Sequence, residues 1–409
     1  MRYKHFLKNN ILTKNLYYSL KAKKYSYKYS SLNLINCNPI YSNSKELRFN
    51  IVLPVLIKER VFGGITTAIS FLMSLCNSCH SGGRIILYDE NENEKDLDID
   101  INGFNINRDK GKSIVYLKDD RTLDVGENDY FIYTDWRSAY IFSKVFLWQI
   151  NTYDLANRKS LYLIQDYEPA FCAWSSEFAE ADSTYRRNAD KIIAIFNSRQ
   201  LYDYFANYSF YKKIYFEPAM PEKLKTQLYT NFPIKRKKQI LIYGRPGTER
   251  NAFSLIKDGL TIWSESYYRA KEWSVVSLGE QFENIRLKNN TIVLYGKVSL
   301  EQYANIMKES YVGISLMISP HPSYPPLEMS TFGIRTITNR FANKDLADFN
   351  DNIISLDYYS PEDISSCLIK LCDEFDNYES HVGVNKKYID GVDYERAVDE
   401  VIKEVERML

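Results

Sequence analysis

The sequence has 409 residues, 45% of them hydrophobic and 26% charged, with 53 Lys and Arg against 52 Asp and Glu. This length is too great for one ordinary domain and suits two of about 150–200 residues, while the balanced charge gives no overall basic surface for nucleic acid. No run of about 18 apolar residues occurs, and the first residues lack the apolar core of a signal peptide. We therefore expect a cytoplasmic protein without a membrane-spanning helix.

The first 48 residues form a basic segment, with ten Lys and Arg, aromatic residues between them, and one acid, Glu46. One interpretation is a poorly ordered, solvated arm. The other is an anchor to an anionic membrane surface, where each basic residue adds roughly 1 kcal/mol. No base-reading motif accompanies the segment, so we expect no nucleic acid partner, and an anchor would hold the protein at the inner face of a membrane.

Residues 49–225 alternate short apolar runs with turns and helical patterns. The first run is followed by a glycine turn at Gly63 and Gly64 and then by an apolar-periodic stretch through Leu75. Strand, glycine turn and helix open a nucleotide-type α/β domain. The runs are typical of buried parallel strands and lie at 49–54, 84–88, 129–134, 160–165 and 191–196.

The same pattern restarts after a polar stretch, residues 221–238, that we interpret as a linker. Two βα-rich halves predict two doubly wound lobes, at 49–225 and 238–390, that face each other across a cleft. In such sheets ligands bind at the carboxyl ends of the strands, so the turns after the strands are the candidate site. In the second half we predict a helix at 251–264 and strands at 239–243, 273–278, 291–295 and 312–316.

Six cysteines are scattered along the chain, and among them Cys76 and Cys79, beside His80, have the spacing of metal ligands. A zinc site needs four ligands, and no second pair follows. The apolar stretch before Cys76 favours a buried free thiol, and no Asp-x-Asp motif stands at the end of a predicted strand. We expect neither a metal nor another cofactor.

Several stretches of the sequence resemble one known family. Residues 317–333 run from a strand into a helix that we predict to start near Pro326, and residues 339–345 follow closely. Together with residues 165–169 and Tyr185, they resemble the WsaF-like rhamnosyltransferases, a group near the family-4 retaining glycosyltransferases. The resemblance covers roughly residues 49–385 and implies a GT-B fold, with an acceptor lobe followed by a nucleotide-sugar lobe.

Residues 391–409 are predicted to form an amphipathic helix. Its apolar residues recur at steps of four and three, which places them on one face. By analogy with other two-lobed transferases, we expect this helix to pack back towards the first lobe. The residues of the apolar face are Tyr394, Val398, Val401, Val405 and Met408.

Glu328 is the most specific donor-binding candidate. In the first turn of its predicted helix, its carboxylate would bind both ribose hydroxyls while the helix N-terminus faces a diphosphate. The family-4 pattern has two Glu eight residues apart, and the first position is Pro320 here. His321 is a candidate substitute for the missing acid, with an ordinary loop residue as the alternative. Tyr324, in the same stretch, is a further donor-binding candidate.

Cations are expected near the donor because negative charge develops on a diphosphate as the glycosidic bond breaks. Arg245 and Lys297 each follow a predicted strand, and the resemblance implies that both bind phosphate. Arg250 is a lesser candidate, and these positive charges would make a divalent metal unnecessary. Gly63 and Gly64 would let backbone amides approach the donor, with a plain tight turn as the alternative.

The first lobe is expected to bind the acceptor. Asp135 and Trp136, and then Asp166, Tyr167 and Glu168, follow predicted strands. An acid beside an aromatic ring is a common sugar-binding pair, and core packing is the alternative for Trp136. We interpret Asp166 as the catalytic carboxylate that orients an acceptor hydroxyl.

The combined prediction is a metal-independent glycosyltransferase that moves L-rhamnose from dTDP-rhamnose to a bacterial surface polysaccharide. Its partners would be the nucleotide sugar and a glycan or lipid-linked glycan acceptor. The sugar and the nucleotide rest on the resemblance alone. Two alternatives stay open: a non-catalytic sugar-nucleotide-binding subunit, which the missing first Glu favours, and a nucleotide-sugar epimerase of the same fold.

Overall fold

The structure is a computed structural model, and no helix in its described part is long and apolar enough to cross a membrane. Residues 1–36, which hold most of the predicted basic arm, lie outside that part. The described residues are 37–56, 63–89, 98–101, 104–107, 114–117, 122–172, 174–230, 236–377, 382–391 and 393–409.

Strands and helices alternate along most of the chain. The strands are β1 (Asn38–Tyr41), β2 (Arg48–Leu53), β3 (Gly82–Leu87), β4 (Asp98–Ile101), β5 (Phe104–Asn107), β6 (Ile114–Tyr116), β7 (Thr122–Val125), β8 (Asp129–Tyr133), β9 (Ser160–Ile164), β10 (Ile192–Phe196), β11 (Lys212–Tyr215), β12 (Lys237–Gly244), β13 (Ser274–Gly279), β14 (Ile285–Arg286), β15 (Thr291–Gly296), β16 (Ser310–Ile314), β17 (Arg335–Asn339) and β18 (Ile353–Leu356). The helices are α1 (Gly64–Ser78), α2 (Trp136–Tyr153), α3 (Ser176–Arg186), α4 (Arg199–Tyr204), α5 (Glu222–Leu228), α6 (Phe253–Ser266), α7 (Leu300–Glu309), α8 (Tyr324–Thr331), α9 (Pro361–Glu374), α10 (Lys386–Asp390) and α11 (Asp393–Glu406).

The first lobe is built on a parallel sheet in the order β11-β10-β9-β8-β2-β3-β6. Both faces of this sheet are covered, since Ile51 belongs to the core beneath α1 and its neighbour Val52 to the core beneath α2. A strand that is buried on both faces is apolar throughout, which explains the continuous apolar runs in the sequence. The strand order reverses beside β2 and β8, so the crevice of this lobe lies at their carboxyl ends.

The second lobe repeats this architecture in the order β14-β15-β13-β12-β16-β17-β18. Its strands are parallel except for the short edge strand β14. α6 and α9 pack together on one face, and α5, α7 and α8 contribute to the core on the other. Its reversal point lies between β12 and β16. The prediction of two doubly wound lobes facing a cleft is confirmed.

Several predicted boundaries are wrong. The stretch interpreted as a linker contains α5, whose Leu224 and Leu228 are fully buried and which packs against α7. Residues 38–41, inside the predicted basic arm, form β1, which pairs in parallel with β7.

The C-terminal helix α11 returns to the first lobe and packs against α1 and β11. Val398, Val401 and Val405 are buried in the core beneath α1, with Tyr394 and Met408 packed against it. Each helical turn therefore contributes an apolar side chain to a lobe that is distant in sequence.

Candidate active site

The loops at the carboxyl ends of the two sheets meet, and Asp166 lies where they meet. It follows β9, accepts a hydrogen bond from the Ser319 hydroxyl of the second lobe, and its Oδ2 lies 3.8 Å from Nε of Arg250. Nearby, Nδ2 of Asn197 lies 3.5 Å from the hydroxyl of Tyr324. The structure therefore brings the predicted catalytic carboxylate together with two predicted donor-binding residues.

Glu328 occupies a buried position in α8, and its side chain is 8% exposed. Ser323 precedes the helix, which places Glu328 in the second turn rather than the predicted first. Its Oε2 accepts a hydrogen bond from the hydroxyl of Tyr303 at 2.9 Å. Burial raises the pKa of Glu328 to about 7, and the hydrogen bond from Tyr303 opposes that shift. The carboxylate is thus costly to ionise in this structure.

The predicted cations occupy two strand ends of one sheet edge. Arg245 follows β12 and is half-buried, and Lys297 follows β15 and is exposed. One strand, β13, separates β12 from β15, so the two strand ends are about 10 Å apart. Tyr243, at the end of β12, lies close to both Arg245 and the acid, since burial raises its pKa, Arg245 opposes the rise and Glu328 adds to it.

The loop between β16 and α8 is held by residues that the sequence placed in the motif at 339–345. Oδ1 of Asn339 accepts the N–H of Met317 at 2.8 Å, and Nζ of Lys344 donates to the Met317 carbonyl at 2.5 Å. Burial lowers the pKa of Lys344 to about 7, and the nearby Asp166 opposes the shift. These two side chains fix the loop that carries His321. The motif was visible in the sequence, but no pattern assigned this role to either residue.

Gly63 and Gly64 lie at the start of α1, against the second lobe. Gly63 has a φ of 39°, in the region that favours glycine, and a Cβ there would lie 3.9 Å from the Tyr324 ring. A Cβ on Gly64 would lie 3.2 Å from Oε1 of Gln165. Gly63 is therefore favoured by its backbone conformation, and the glycine turn lies against Tyr324 of the second lobe.

The first-lobe acids predicted to bind the acceptor accept hydrogen bonds from backbone N–H groups. Asp135 caps α2 and accepts a hydrogen bond from the Tyr88 hydroxyl at 3.0 Å. Oε2 of Glu168 accepts the N–H of Trp136 at 2.6 Å. Burial raises the pKa of both carboxyls, and the nearby Asp135 raises that of Glu168 further. Both side chains stabilise the loops that surround Asp166.

Trp136 and Tyr167 pack in the core, which favours the core-packing alternative for Trp136 and leaves neither ring exposed to a sugar in this structure. Trp136 is 4% exposed, and the Arg137 guanidinium lies 4.5 Å above its ring. Tyr167 is 9% exposed, and its hydroxyl donates to Asp182 at 3.1 Å. Its ring packs in a cluster of aromatic residues: Phe178, Tyr185, Tyr204 and Phe205.

The exposed aromatic rings of this region lie a few residues further along the same loop. Phe171 is 42% exposed, and the Arg250 guanidinium lies 4.0 Å above its ring. Trp174 is 91% exposed and packs against Phe178. Neither residue is predicted from the sequence, although an aromatic residue in a polar loop after the Asp166 strand is the available signal.

Cys76 is buried as a free thiol, as predicted, and its Sγ donates to the Gly82 carbonyl at 3.6 Å. Burial raises its pKa to about 11. Among the residues that the structure describes, no three His, Cys, Asp or Glu side chains are grouped so that they could hold a metal ion.

Two family models match the chain in sequence. The model for the N-terminal domain of WsaF matches residues 48–199, and the model for its C-terminal domain matches residues 238–369. The O-antigen biosynthesis protein RfbC of Myxococcus xanthus is 30% identical over 186 residues. That match covers 44% of this chain and 14% of RfbC, so it spans a small part of the relative's length.

Several solved structures share the two-lobed GT-B fold at low sequence identity. The sucrose-phosphate synthase of Thermosynechococcus elongatus has a TM-score of 0.51 at 10% identity, over 88% of this chain and 97% of that one. The lipopolysaccharide outer core galactosyltransferase WaaB has a TM-score of 0.51 at 12% identity, over 87% and 99%. The pneumococcal O-GlcNAc transferase GtfA has a TM-score of 0.50 at 11% identity, over 89% and 99%. These similarities establish the fold.

Proposed function

This chain belongs to the WsaF family of glycosyltransferases, and we propose that it transfers L-rhamnose from dTDP-L-rhamnose to a glycan of a bacterial surface polysaccharide. The observation that carries the proposal is the convergence of Arg245, Lys297 and Glu328 on one sheet edge, opposite Asp166 of the other lobe. The similarity to a protein named for O-antigen biosynthesis supports a polysaccharide product. The resemblance to the WsaF-like rhamnosyltransferases supports L-rhamnose as the transferred sugar.

The donor nucleotide would lie against the second lobe. Arg245 and Lys297 would bind the diphosphate, since their long side chains extend from strand ends about 10 Å apart and can reach it from either side. Glu328 would accept hydrogen bonds from both ribose hydroxyls or, in a deoxynucleotide, from the 3′-hydroxyl. A sugar hydroxyl bound there favours the ionised acid, which offsets the burial that raises its pKa.

The transfer step would take place beside Asp166, at the meeting point of the lobes. The acceptor oxygen forms a bond to the anomeric carbon while the bond to the leaving phosphate breaks. The leaving phosphate takes the acceptor proton, and its growing charge is stabilised by Arg245 and Lys297. Asp166 would orient the acceptor hydroxyl, because its carboxylate lies at this point and is held by Ser319 and Arg250.

The acceptor glycan would enter along the loop that follows Asp166. Phe171 and Trp174 present exposed rings there, and such rings pack against the apolar faces of sugars. A lipid-linked acceptor would place the enzyme at the inner face of the membrane. There the basic residues of segment 1–48 would meet anionic headgroups.

Acceptor-dependent release of nucleoside diphosphate tests this proposal. Purified protein is incubated with dTDP-L-rhamnose, with and without a panel of rhamnose-containing oligosaccharides and lipid-linked glycans, and dTDP is quantified. A transferase releases dTDP in proportion to an added acceptor and forms a glycan one residue longer. A sugar-nucleotide-binding subunit releases none, and an epimerase changes the nucleotide sugar without an acceptor.

A further inference from the structure

Four buried polar atoms in the region where the lobes meet have no hydrogen-bond partner among the described residues. Two are acceptors, Oε1 of Gln165 and Oδ1 of Asn197, and two belong to donors, Nε of Arg250 and Nε2 of His321. The first two come from strand ends of the first lobe and the others from loops of the second. Both lobes therefore contribute unmatched polar groups to one region.

Contacts through Tyr324 connect three of these groups. Its ring centroid lies 5.6 Å from that of His321, and its hydroxyl lies 3.5 Å from Nδ2 of Asn197. The Gln165 amide lies beside Gly64, next to the Gly63 position that faces the Tyr324 ring. Arg250 lies beside Asp166, the residue that follows Gln165. Leaving a buried donor or acceptor unpaired is costly, so several such groups in one region indicate a ligand subsite.

His321 has a fixed hydrogen-bonding state. Its Nδ1 accepts the backbone N–H of Ser323 at 3.0 Å, so this nitrogen carries no hydrogen. The side chain is 5% exposed, and burial lowers the pKa of the imidazole to about 4, so the ring is neutral. The single ring hydrogen therefore resides on Nε2, which makes this atom a donor.

The mixture of groups distinguishes a sugar from a phosphate. The side-chain oxygens of Gln165 and Asn197 accept hydrogen bonds, and they would repel the oxygens of a phosphate. A hydroxyl group both donates and accepts. A ligand that presents several hydroxyls would satisfy donors and acceptors together, whereas the cations Arg245 and Lys297 lie at other strand ends.

We propose that Nε2–H of His321 donates a hydrogen bond to a hydroxyl oxygen of the donor's glycosyl unit, in a subsite that His321 shares with Gln165 and Asn197. The inference rests on the proposed function, because it requires a nucleotide sugar in the cleft. A donor then stands next to Pro320, the position at which the family-4 pattern has an acid. At this position the chain therefore presents a hydrogen-bond donor to a sugar oxygen, whereas the acid of the family-4 pattern presents an acceptor to a sugar hydroxyl.

Two substitutions of His321 separate this role from a structural one. The side-chain oxygen of His321→Asn can replace Nδ1 as the acceptor for Ser323, but the variant lacks the distal donor. His321→Gln can place an N–H near Nε2 and lacks the acceptor for Ser323. The dissociation constants of wild type and both variants are measured by calorimetry for three pairs: dTDP and dTDP-L-rhamnose, UDP and UDP-glucose, GDP and GDP-mannose.

For the pair that wild type binds, we expect His321→Asn to weaken the nucleotide sugar about tenfold, which corresponds to about 1.4 kcal/mol, and to leave the free nucleotide unchanged. His321→Gln should retain more of the nucleotide-sugar affinity than His321→Asn. Gln165→Met removes an acceptor of the same subsite. It should likewise weaken the nucleotide sugar and leave the free nucleotide unchanged, and it replaces His321→Asn in the test if His321→Asn does not fold.

Equal weakening of nucleotide and nucleotide sugar, with a lowered melting temperature, would overturn the inference and leave His321 a structural loop residue. Unchanged affinity for both ligands would overturn it as well. In either case wild-type binding keeps the proposed function intact. If wild type binds none of the six compounds, the proposed function fails, and the glycosyl subsite falls with it.

Discussion

The two lobes share one topology and place carboxylates at the same sheet edge, yet those carboxylates have different partners. In the first lobe, Asp135 and Glu168 accept hydrogen bonds from backbone N–H groups. In the second, Glu328 accepts from the phenol of Tyr303. Asp166 of the first lobe accepts from the hydroxyl of Ser319 in the second lobe and also from the backbone N–H of Tyr167. Burial raises the pKa of Asp135, Glu168 and Glu328 alike, so a raised pKa does not identify a binding residue.

The partner of a carboxylate is more informative. A backbone N–H is fixed, and an acid that pairs with it caps a helix or closes a loop. A hydroxyl group rotates, so it can release an acid to a ligand without breaking the fold. By this criterion we propose that Glu328 faces a ligand and that Glu168 is structural. Asp135 and Asp166 each accept from a hydroxyl and from a backbone N–H, so the contacts of Asp166 with Ser319 and Arg250 of the other lobe are what favour it as a site residue.

Asp166→Asn should have the largest effect. The amide keeps an oxygen for the Ser319 hydroxyl but has no negative charge to orient the acceptor hydroxyl. We expect kcat to fall about a hundredfold or more, with the donor KM nearly unchanged, as measured by dTDP release at saturating acceptor. Ser319→Ala is the matched control, because it removes the hydrogen bond and leaves the acid. Equal losses in both variants would show that Asp166 only joins the lobes.

Glu328 should make the protein less stable as the pH rises from about 4.5 to about 7. The folded-state pKa is raised from 4.5 to about 7, so within this window the folded state binds more protons than the unfolded state, and stability falls with pH. The full difference is about 3 kcal/mol. Glu328→Gln should remove this component and also weaken nucleotide binding.

Chemical denaturation of wild type and Glu328→Gln across this pH range measures the effect. The difference between their unfolding free energies should change steadily between pH 4.5 and 7 and become constant above it. A difference that is independent of pH would show that Glu328 is readily ionised in the folded protein.

Glu168 should affect stability rather than binding. Glu168→Ala leaves the buried N–H of Trp136 unpaired, and we expect a loss of about 1–3 kcal/mol in the free energy of unfolding. Glu168→Gln keeps an oxygen for that N–H and should be nearly neutral. Nucleotide affinity should be unchanged in both. If Glu168→Gln folds normally but no longer transfers the sugar to the acceptor, Glu168 would be an acceptor-binding residue after all.

Trp174→Ala should have the smallest effect of these substitutions. It should leave the stability nearly unchanged and raise only the KM for the acceptor. The side chain is 91% exposed, so we expect a change of less than about 0.5 kcal/mol in stability. The acceptor KM should rise about tenfold or less, corresponding to the loss of about 1 kcal/mol of ring contact, with the donor KM unchanged. Tyr268→Ala, which removes a ring that is 82% exposed in the second lobe, is the matched control. An equal effect of both variants would exclude a specific acceptor contact.

The fold could be predicted from the sequence because each buried parallel strand is a short apolar run. α5 was missed because its two buried residues, Leu224 and Leu228, lie in a stretch that is otherwise polar. Its existence depends on packing against α7, which no local pattern records.

The candidate site could be predicted only in part. Strand-end position identified Arg245, Lys297, Glu328 and Asp166, since parallel strands deliver their carboxyl ends to one edge. It could not tell Trp136, which turns into the core, from Trp174, which faces solvent. Side-chain direction is set by tertiary packing, and the same holds for the pairing of Glu328 with Tyr303.

The central claim is that the second lobe binds the nucleotide, and thermal-shift titration with dTDP, UDP and GDP tests it most directly. Arg245→Ala removes a predicted phosphate contact, while Arg137→Ala removes an exposed cation that lies at a strand end of the first lobe and pairs with Glu177. A ligand at a hundredfold excess over its dissociation constant stabilises the folded state by about 2.7 kcal/mol.

If the second lobe binds the nucleotide, at least one of the three nucleotides should raise the melting temperature of wild type and of Arg137→Ala, and Arg245→Ala should lose this shift. A shift that survives in Arg245→Ala and disappears in Arg137→Ala would place the nucleotide in the first lobe. The absence of any shift in wild type would contradict the nucleotide-sugar account as a whole.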